Sequence, residues 1–127
     1  MINIPDQVLY DDIFRASETL GYTTYDFLPP EGTEYPFVVV GGIQTILSPT
    51  KSRLRARVVA SVDVWGKDDS RKDITVMGHN LVRVLHTDSY NKPYRVMLQE
   101  VMIDTIQDDS TPENLWRCRL EIPITYN

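Results

Sequence analysis

The sequence predicts an α+β fold, in which an antiparallel β-sheet of about four strands carries two α-helices on one face. Two observations predict it. Apolar residues recur every three or four positions in two segments and at every second position in the others, and the segments follow in the order α-β-β-α-β-β. A chain of 127 residues without an internal repeat or linker fits one domain, so we predict a single unit spanning residues 1–127.

The first predicted helix spans residues 5–20. Pro5 suits the first helical turn, and Gly21 is a natural stop after the last one. The positions that draw one apolar face at helical spacing are Leu9, Ile13, Ala16 and Leu20.

A turn-rich segment then leads into the first predicted strand. Leu28-Pro29-Pro30 favours an extended backbone, and Glu31-Gly32-Thr33 supplies a turn. The β-branched run Phe37–Val40 predicts the strand itself, and Gly41-Gly42 permits a bulge or a close backbone approach. This segment either holds a protruding loop at a fixed angle or packs on its own sheet.

Residues 43–54 predict an irregular extension or a long hairpin loop around Ser48-Pro49-Thr50, and we expect residues 42–54 to form a flexible loop or arm. Its candidate contact residues are Ile43, Gln44, Ile46 and Leu47.

A basic stripe follows, made of Lys51, Arg53, Arg55 and Arg57. Residues at a period of two project from one face of an extended segment. The stripe is either a solvated strand face or a surface for phosphate or an acidic partner. Because no aromatic residue is interleaved, the stripe does not suit stacking on single-stranded nucleic acid.

The second half of the chain predicts a strand, a helix and two more strands. The strand over residues 55–65 alternates apolar and polar positions, and the helix covers residues 69–85. Gly78 within that helix suggests close packing on the sheet. The strand over 94–106 changes its alternation near Gln99-Glu100, which predicts a one-residue bulge. The last strand, 115–126, alternates throughout and turns Arg117, Arg119 and Glu121 away from its apolar face.

No residue pattern indicates an enzyme, a cofactor or a metal site. His79 and His86 stand seven residues apart on the second helix, whereas helical metal pairs use a spacing of four. Cys118 is the single cysteine, which excludes an intrachain disulfide, and its strand position favours a core residue over a reactive thiol.

Charge and hydropathy predict a cytoplasmic protein without membrane or general nucleic-acid binding. The net charge of −5 opposes phosphate neutralisation. No apolar run approaches the roughly 20 residues that span a bilayer, and the first residues lack the basic start and apolar centre of a signal peptide.

The segment YDFLPPEGTEYPFVVVGG (25–42), followed by SPTKSRLRARVVASVDVWGKDDSRKDI (48–74), resembles a known family. These segments look like the tail-completion proteins, or tail terminators, of long-tailed phages and prophages of Gram-positive bacteria. In that family an N-terminal helix leads to a YD-x-x-P…PYPFVV-G segment, and a strand ending in VWG precedes a polar turn and a helix. The resemblance covers roughly residues 6–85 and continues more loosely to the last strand. The matching residues here are Tyr25-Asp26, Pro29-Pro30, Tyr35–Val39, Gly41 and Val64-Trp65-Gly66.

The resemblance implies a structural protein without cofactor or catalytic residues. Members of the family form a ring, usually of six copies, that caps the tail tube, fixes its length and joins the tail to the head. The implied partners are other copies of the chain, the major tail tube protein and the head-tail connector protein, with DNA passing transiently through the lumen. The chain could be monomeric in isolation. The implied location is the head-tail junction of the virion, after assembly in the host cytoplasm.

On this resemblance the basic stripe (Lys51, Arg53, Arg55 and Arg57) faces either the lumen or a neighbouring subunit, and the arm orders on assembly. One alternative is a head-tail connector, adaptor or minor capsid protein. Another is a small ligand-binding domain or an enzyme, which would need a pocket with convergent polar groups.

Overall fold

Two helices and six strands make up the part of the chain that this computed structural model describes, residues 4–49, 54–110 and 112–126. The helices are α1 (Pro5–Thr19) and α2 (Arg71–Ser89). The strands are β1 (Thr24–Tyr25), β2 (Phe37–Pro49), β3 (Leu54–Lys67), β4 (Tyr94–Val96), β5 (Met102–Asp108) and β6 (Leu115–Tyr126). The α+β prediction is confirmed, with more strands than predicted.

The strands form one sheet in the order β1-β2-β3-β6-β4, and β5 also pairs with β6. All pairs are antiparallel except β1 with β2. β4 lies opposite Ile124–Tyr126, and β5 lies opposite Leu115–Glu121, so the two short strands share one edge of β6. Two features account for the additional strands. β1 was not predicted from the sequence, and the single strand predicted over residues 94–106 is divided into β4 and β5.

A 3₁₀ turn, Leu98–Glu100, divides those two strands. Val96 pairs with Ile124 and Met102 with Glu121, so six residue steps on this edge face three steps on β6. The predicted irregularity near Gln99-Glu100 is confirmed in place, but three residues are inserted rather than one. An odd insertion shifts the alternation by one, so that buried Val96 and partly buried Ile103 both face the core.

The predicted loop over residues 42–54 is wrong wherever the structure describes it. β2 and β3 form a long hairpin that stays paired from Ile43 opposite Ala60 to Pro49 opposite Leu54. Residues 50–53 lie outside the described residues. The candidate arm residues Ile43, Gln44, Ile46 and Leu47 all belong to β2. Pro49 interrupts nothing because it stands at the end of the strand, where its missing N–H is tolerated.

The strand continues past the glycine pair because the pair absorbs a bulge, as the sequence predicts. Val40 pairs with Val62 and Ile43 with Ala60, which sets three steps on β2 against two on β3. A Cβ atom on Gly41 would lie 3.1 Å from the backbone oxygen of Ser61, so the backbones approach closely here.

The hydrophobic core lies between the helices and one face of the sheet. The even-numbered residues of β3 from Ala56 to Val64 and of β6 from Cys118 to Ile124 point into it and are buried. α1 contributes Leu9 and Ile13, and α2 contributes a longer stripe. That stripe consists of Ile74, Leu81, Val82 and Leu85.

Gly78 brings α2 close to β6, as predicted. A Cβ atom at this position would lie 2.9 Å from the Cys118 Sγ and 3.1 Å from the Leu120 Cδ2. Both β6 side chains are fully buried, so neither can turn into solvent to make room.

We expect Gly78→Ala to lower the free energy of unfolding, measured by urea denaturation. The alanine adds about 1 kcal/mol of helix propensity, but overpacking costs about 1–3 kcal/mol. Cys118→Ala removes the nearest atom, so the double variant should be more stable than the sum of the single effects predicts. A Gly78→Ala variant as stable as the parent would contradict this packing.

Candidate interaction surface

One candidate surface is the sheet face opposite to the helices. Side chains alternate along a strand, and both described helices pack on the even-numbered residues of β3 and β6. The odd-numbered residues of these strands therefore form what we call the helix-free face. It includes Arg57, Val59, Ser61, Asp63 and Trp65 of β3, and Arg117, Arg119 and Glu121 of β6. The predicted outward orientation of the three β6 residues is confirmed.

The middle of the helix-free face is balanced in charge. Arg117 lies 3.0 Å from Asp63, and Arg119 lies 3.1 Å from Asp104 of β5. Each exposed or half-exposed pair contributes less than about 1 kcal/mol to stability. The pairs fix the guanidinium groups in place and leave little net charge at the centre of the face.

The structure places only part of the predicted basic stripe. Arg57 lies on the helix-free face and forms an ion pair with Glu100 at 2.6 Å. Arg55 lies in β3 opposite Ser48, and its side chain is outside the described part of the chain, as are Lys51 and Arg53. The Glu100 contact joins residues 43 positions apart, so it could not be predicted from the sequence.

The far half of the β2–β3 hairpin is exposed. The side chain of Ile46 is 47% exposed and that of Leu47 is 59% exposed. β1 pairs with β2 only at Val38 and Val39, so within the described residues the outer edge of β2 has no strand partner beyond them. Exposed apolar residues beside a free strand edge are suited to contact with another chain.

The segment from Tyr25 to Pro36 packs over the other end of the helix-free face. The ring of Tyr35 stacks on that of Phe37 at 5.0 Å between centroids, and Tyr25 meets Phe37 edge-on at 5.7 Å. Phe37 is consequently only 3% exposed, although it lies on the face without helices. Of the two predicted alternatives, packing on its own sheet describes Tyr25 and Tyr35, whereas Phe27 and Leu28 between them are more than 60% exposed.

A cleft of about 300 Å³ opens beside this packed segment. Phe37 pairs with Trp65, which brings both aromatic rings to one end of the sheet, and the loop after β5 closes the other side. We call it the aromatic cleft. Its lining residues are Leu28, Pro29, Pro30, Glu31, Tyr35, Phe37, Trp65, Asp108, Ser110, Glu113 and Leu115.

The aromatic cleft has a negative rim. Burial raises the pKa of the Tyr35 hydroxyl, and the carboxylates of Glu113, Glu31 and Asp108 raise it further. The ammonium group of Lys67 lies 5.9 Å from the centroid of the Tyr35 ring. Carboxylates around aromatic faces suit a bound guanidinium or ammonium group, through ion pairing and cation–π attraction.

The sequence did not predict the aromatic cleft. Trp65 lies 30 positions after Tyr35, and the loop with Asp108 and Glu113 lies further along still. Strand pairing brings Tyr35, Trp65 and this loop to the same end of the sheet. The available signals were the prolines and aromatic residues of the 25–37 segment, which predict a rigid, apolar surface but not its partner.

The residues considered for chemistry lie apart from this surface. His79 is exposed on α2, and the His86 ring lies 5.4 Å from that of Tyr90. No cluster of metal-ligating side chains occurs within residues 4–49, 54–110 and 112–126. Cys118 is fully buried, and this burial raises the pKa of its thiol, which keeps it protonated at neutral pH. Among the described helices, none is both long and apolar enough to cross a membrane.

This chain is similar to a known protein in its structure but not in its sequence. Neither family models nor curated proteins match the sequence. A chain from the virion of a native gene transfer agent (GTA) particle matches with a TM-score of 0.70 and 10% sequence identity, over 98% of this chain and 98% of that chain. The two chains share a fold. At this identity the match concerns the fold alone, so the tail-completion family stays a prediction.

We expect Glu113→Gln to lower the pKa of Tyr35, because the carboxylate beside the ring opposes formation of the phenolate. Carbon NMR of labelled tyrosine rings through the alkaline range measures it. Glu121→Gln, on the exposed middle of the same face, is the control and should leave the Tyr35 pKa unchanged. An unchanged pKa in the Glu113→Gln variant would contradict the negative rim.

Proposed function

We propose that this chain is a structural protein of a phage or phage-like virion, and that it acts as a tail-completion protein. In this role, copies of the chain form a ring that caps the tail tube, ends its growth and joins the tail to the head connector. The observation that carries the proposal is the end-to-end match with a virion chain, which covers 98% of both chains. The resemblance of residues 6–85 to tail-completion proteins supports the finer assignment.

The surfaces described above suit a protein that works in contact with neighbours. The helix-free face exposes one side of a sheet, and Ile46 and Leu47 expose apolar area on a strand edge. A subunit of an assembly can bury such area against a neighbouring chain. The chain therefore has built-in contact area beyond its own core.

The partners follow from the proposed role. They are further copies of the chain, most simply six in a ring, the major tail tube protein and the head-tail connector protein. The basic stripe, Lys51, Arg53, Arg55 and Arg57, faces a neighbouring subunit or the lumen, where DNA passes transiently. The chain remains monomeric until a partner surface is offered, assembles in the host cytoplasm and ends at the head-tail junction of the virion.

Deletion of the gene from its source genome tests the proposal directly. We expect electron microscopy to show overlong tails detached from DNA-filled heads, because nothing stops tube growth or joins the two parts. Expression of the intact chain in trans should restore joined particles with tails of normal length.

Two other results would contradict the proposed role. Tails of normal length beside tailless heads would assign the chain to the connector. Joined particles of normal form would show that the chain is not needed for virion assembly.

A further inference from the structure

Charge is unevenly distributed along this sequence. From Tyr35 to Val62 there is no acidic residue, and the basic stripe lies within that segment. The segment carries +4 within a total of −5, so the remaining residues sum to −9. Arg57 is paired with Glu100, which leaves Lys51, Arg53 and Arg55, at the connection between β2 and β3, as the basic residues of this segment considered for a partner.

The aromatic cleft is the matching acidic site. Its carboxylates, Glu31, Asp108 and Glu113, all come from outside the basic segment, and Glu31 and Glu113 are exposed. The rings of Tyr35 and Trp65 line the cleft and already have cations of the same chain beside them, Lys67 at 5.9 Å from the Tyr35 centroid and Arg117 at 5.1 Å from the Trp65 centroid, so the carboxylates are the groups left for an incoming cation. Leu28 is 63% exposed at the rim and offers apolar contact.

The basic tip cannot reach the aromatic cleft of its own molecule. The cleft lies at the Trp65 end of β3 and the tip at the Leu54 end, eleven residues away in an unbroken strand. At about 3.3 Å per residue, the two sites lie roughly 36 Å apart. The four residues from Thr50 to Arg53 span much less than that, so only the tip of another molecule can enter the cleft.

We propose that the aromatic cleft of one copy receives the basic hairpin tip, residues 50–55, of a second copy. Lys51 and Arg53 then meet the carboxylates of the cleft. Ile46, which is exposed on the helix-free face just behind the tip, buries apolar area against the rim. This inference rests on the proposed function, because it names the contact through which the copies of the ring associate.

Such a contact is directional. The hairpin tip and the aromatic cleft lie at opposite ends of the sheet. Each copy therefore inserts its tip into the cleft of one neighbour and binds the tip of another neighbour in its own cleft. A head-to-tail contact of this kind closes into a ring when its rotation allows and otherwise continues as a filament. Closure at a fixed number of copies is what a cap on a tube requires.

Charge exchange tests the contact in complemented particles. Lys51→Glu with Arg53→Glu places like charges at the contact, and so does Glu31→Lys with Glu113→Lys. Each pair should reduce the amount of the chain in purified particles by about tenfold or more. The four substitutions together should restore it, because the opposite charges meet again. Lys72→Glu with Arg83→Glu, at exposed positions of α2, is the control and should have no effect.

A four-substitution variant no better than its parents would overturn the proposal. Full incorporation of either charge-reversed pair would overturn it as well. Glu31 and Glu113 are exposed, and thermal denaturation of each purified variant should confirm a native fold.

Disulfide trapping separates this inference from the proposed function. Ser52→Cys with Ser110→Cys places one thiol at the tip and one in the cleft, while Cys118 remains buried. Oxidised particles should give a ladder of cross-linked copies on a non-reducing gel, which neither single variant gives. Particles that contain the chain and have joined tails, yet give no ladder, would overturn the cleft contact and leave the proposed function standing. A cross-link from the Ser110→Cys site to a different virion protein would also overturn it.

Discussion

The pairing of β3 with β6 positions every other element of this fold. Twelve residue pairs join the two strands without a bulge, from Ala56 opposite Tyr126 to Lys67 opposite Leu115. Because the register is unbroken, the even-numbered residues of both strands face one side along the whole length and bury together under the helices. β2 attaches to the free edge of β3, and β4 and β5 attach to the free edge of β6. A shift of one residue in this central pairing would turn the core outwards.

The same register determines the surface opposite to the helices. The apolar even-numbered residues of β3 and β6 point towards the helices. The odd-numbered residues therefore point to the opposite face, which has ion pairs in its middle and aromatic residues at one end. The segment from Tyr25 to Pro36 covers part of that end and leaves the aromatic cleft beside it. At the other end, the described part of the β2–β3 hairpin leaves the outer edge of β2 without a strand partner and exposes apolar residues. The sheet therefore has an aromatic cleft with a negative rim at one end and an exposed hairpin at the other.

Much of this fold follows from periodicity in the sequence. α1, β6 and the outward orientation of Arg117 and Arg119 could be predicted, because a single spacing of apolar residues decides each. The bulge at Gly41-Gly42 was also predictable from the residues themselves. β1 is too short to predict because two residues give no pattern. The extent of strand pairing in the β2–β3 hairpin is not predictable either, since the bulge at Gly41-Gly42 shifts the alternation of β2. The aromatic cleft could not be predicted, since it exists only where strand register brings distant segments together.

The most direct measurement is a cryo-EM reconstruction of the head-tail junction in particles from the source of this chain. We expect a ring of copies at the end of the tail tube, with residues 50–55 of each copy seated in the aromatic cleft of its neighbour. A junction without this chain would contradict the proposed function. A ring in which the aromatic cleft faces solvent, or holds a segment of another protein, would contradict the contact between copies.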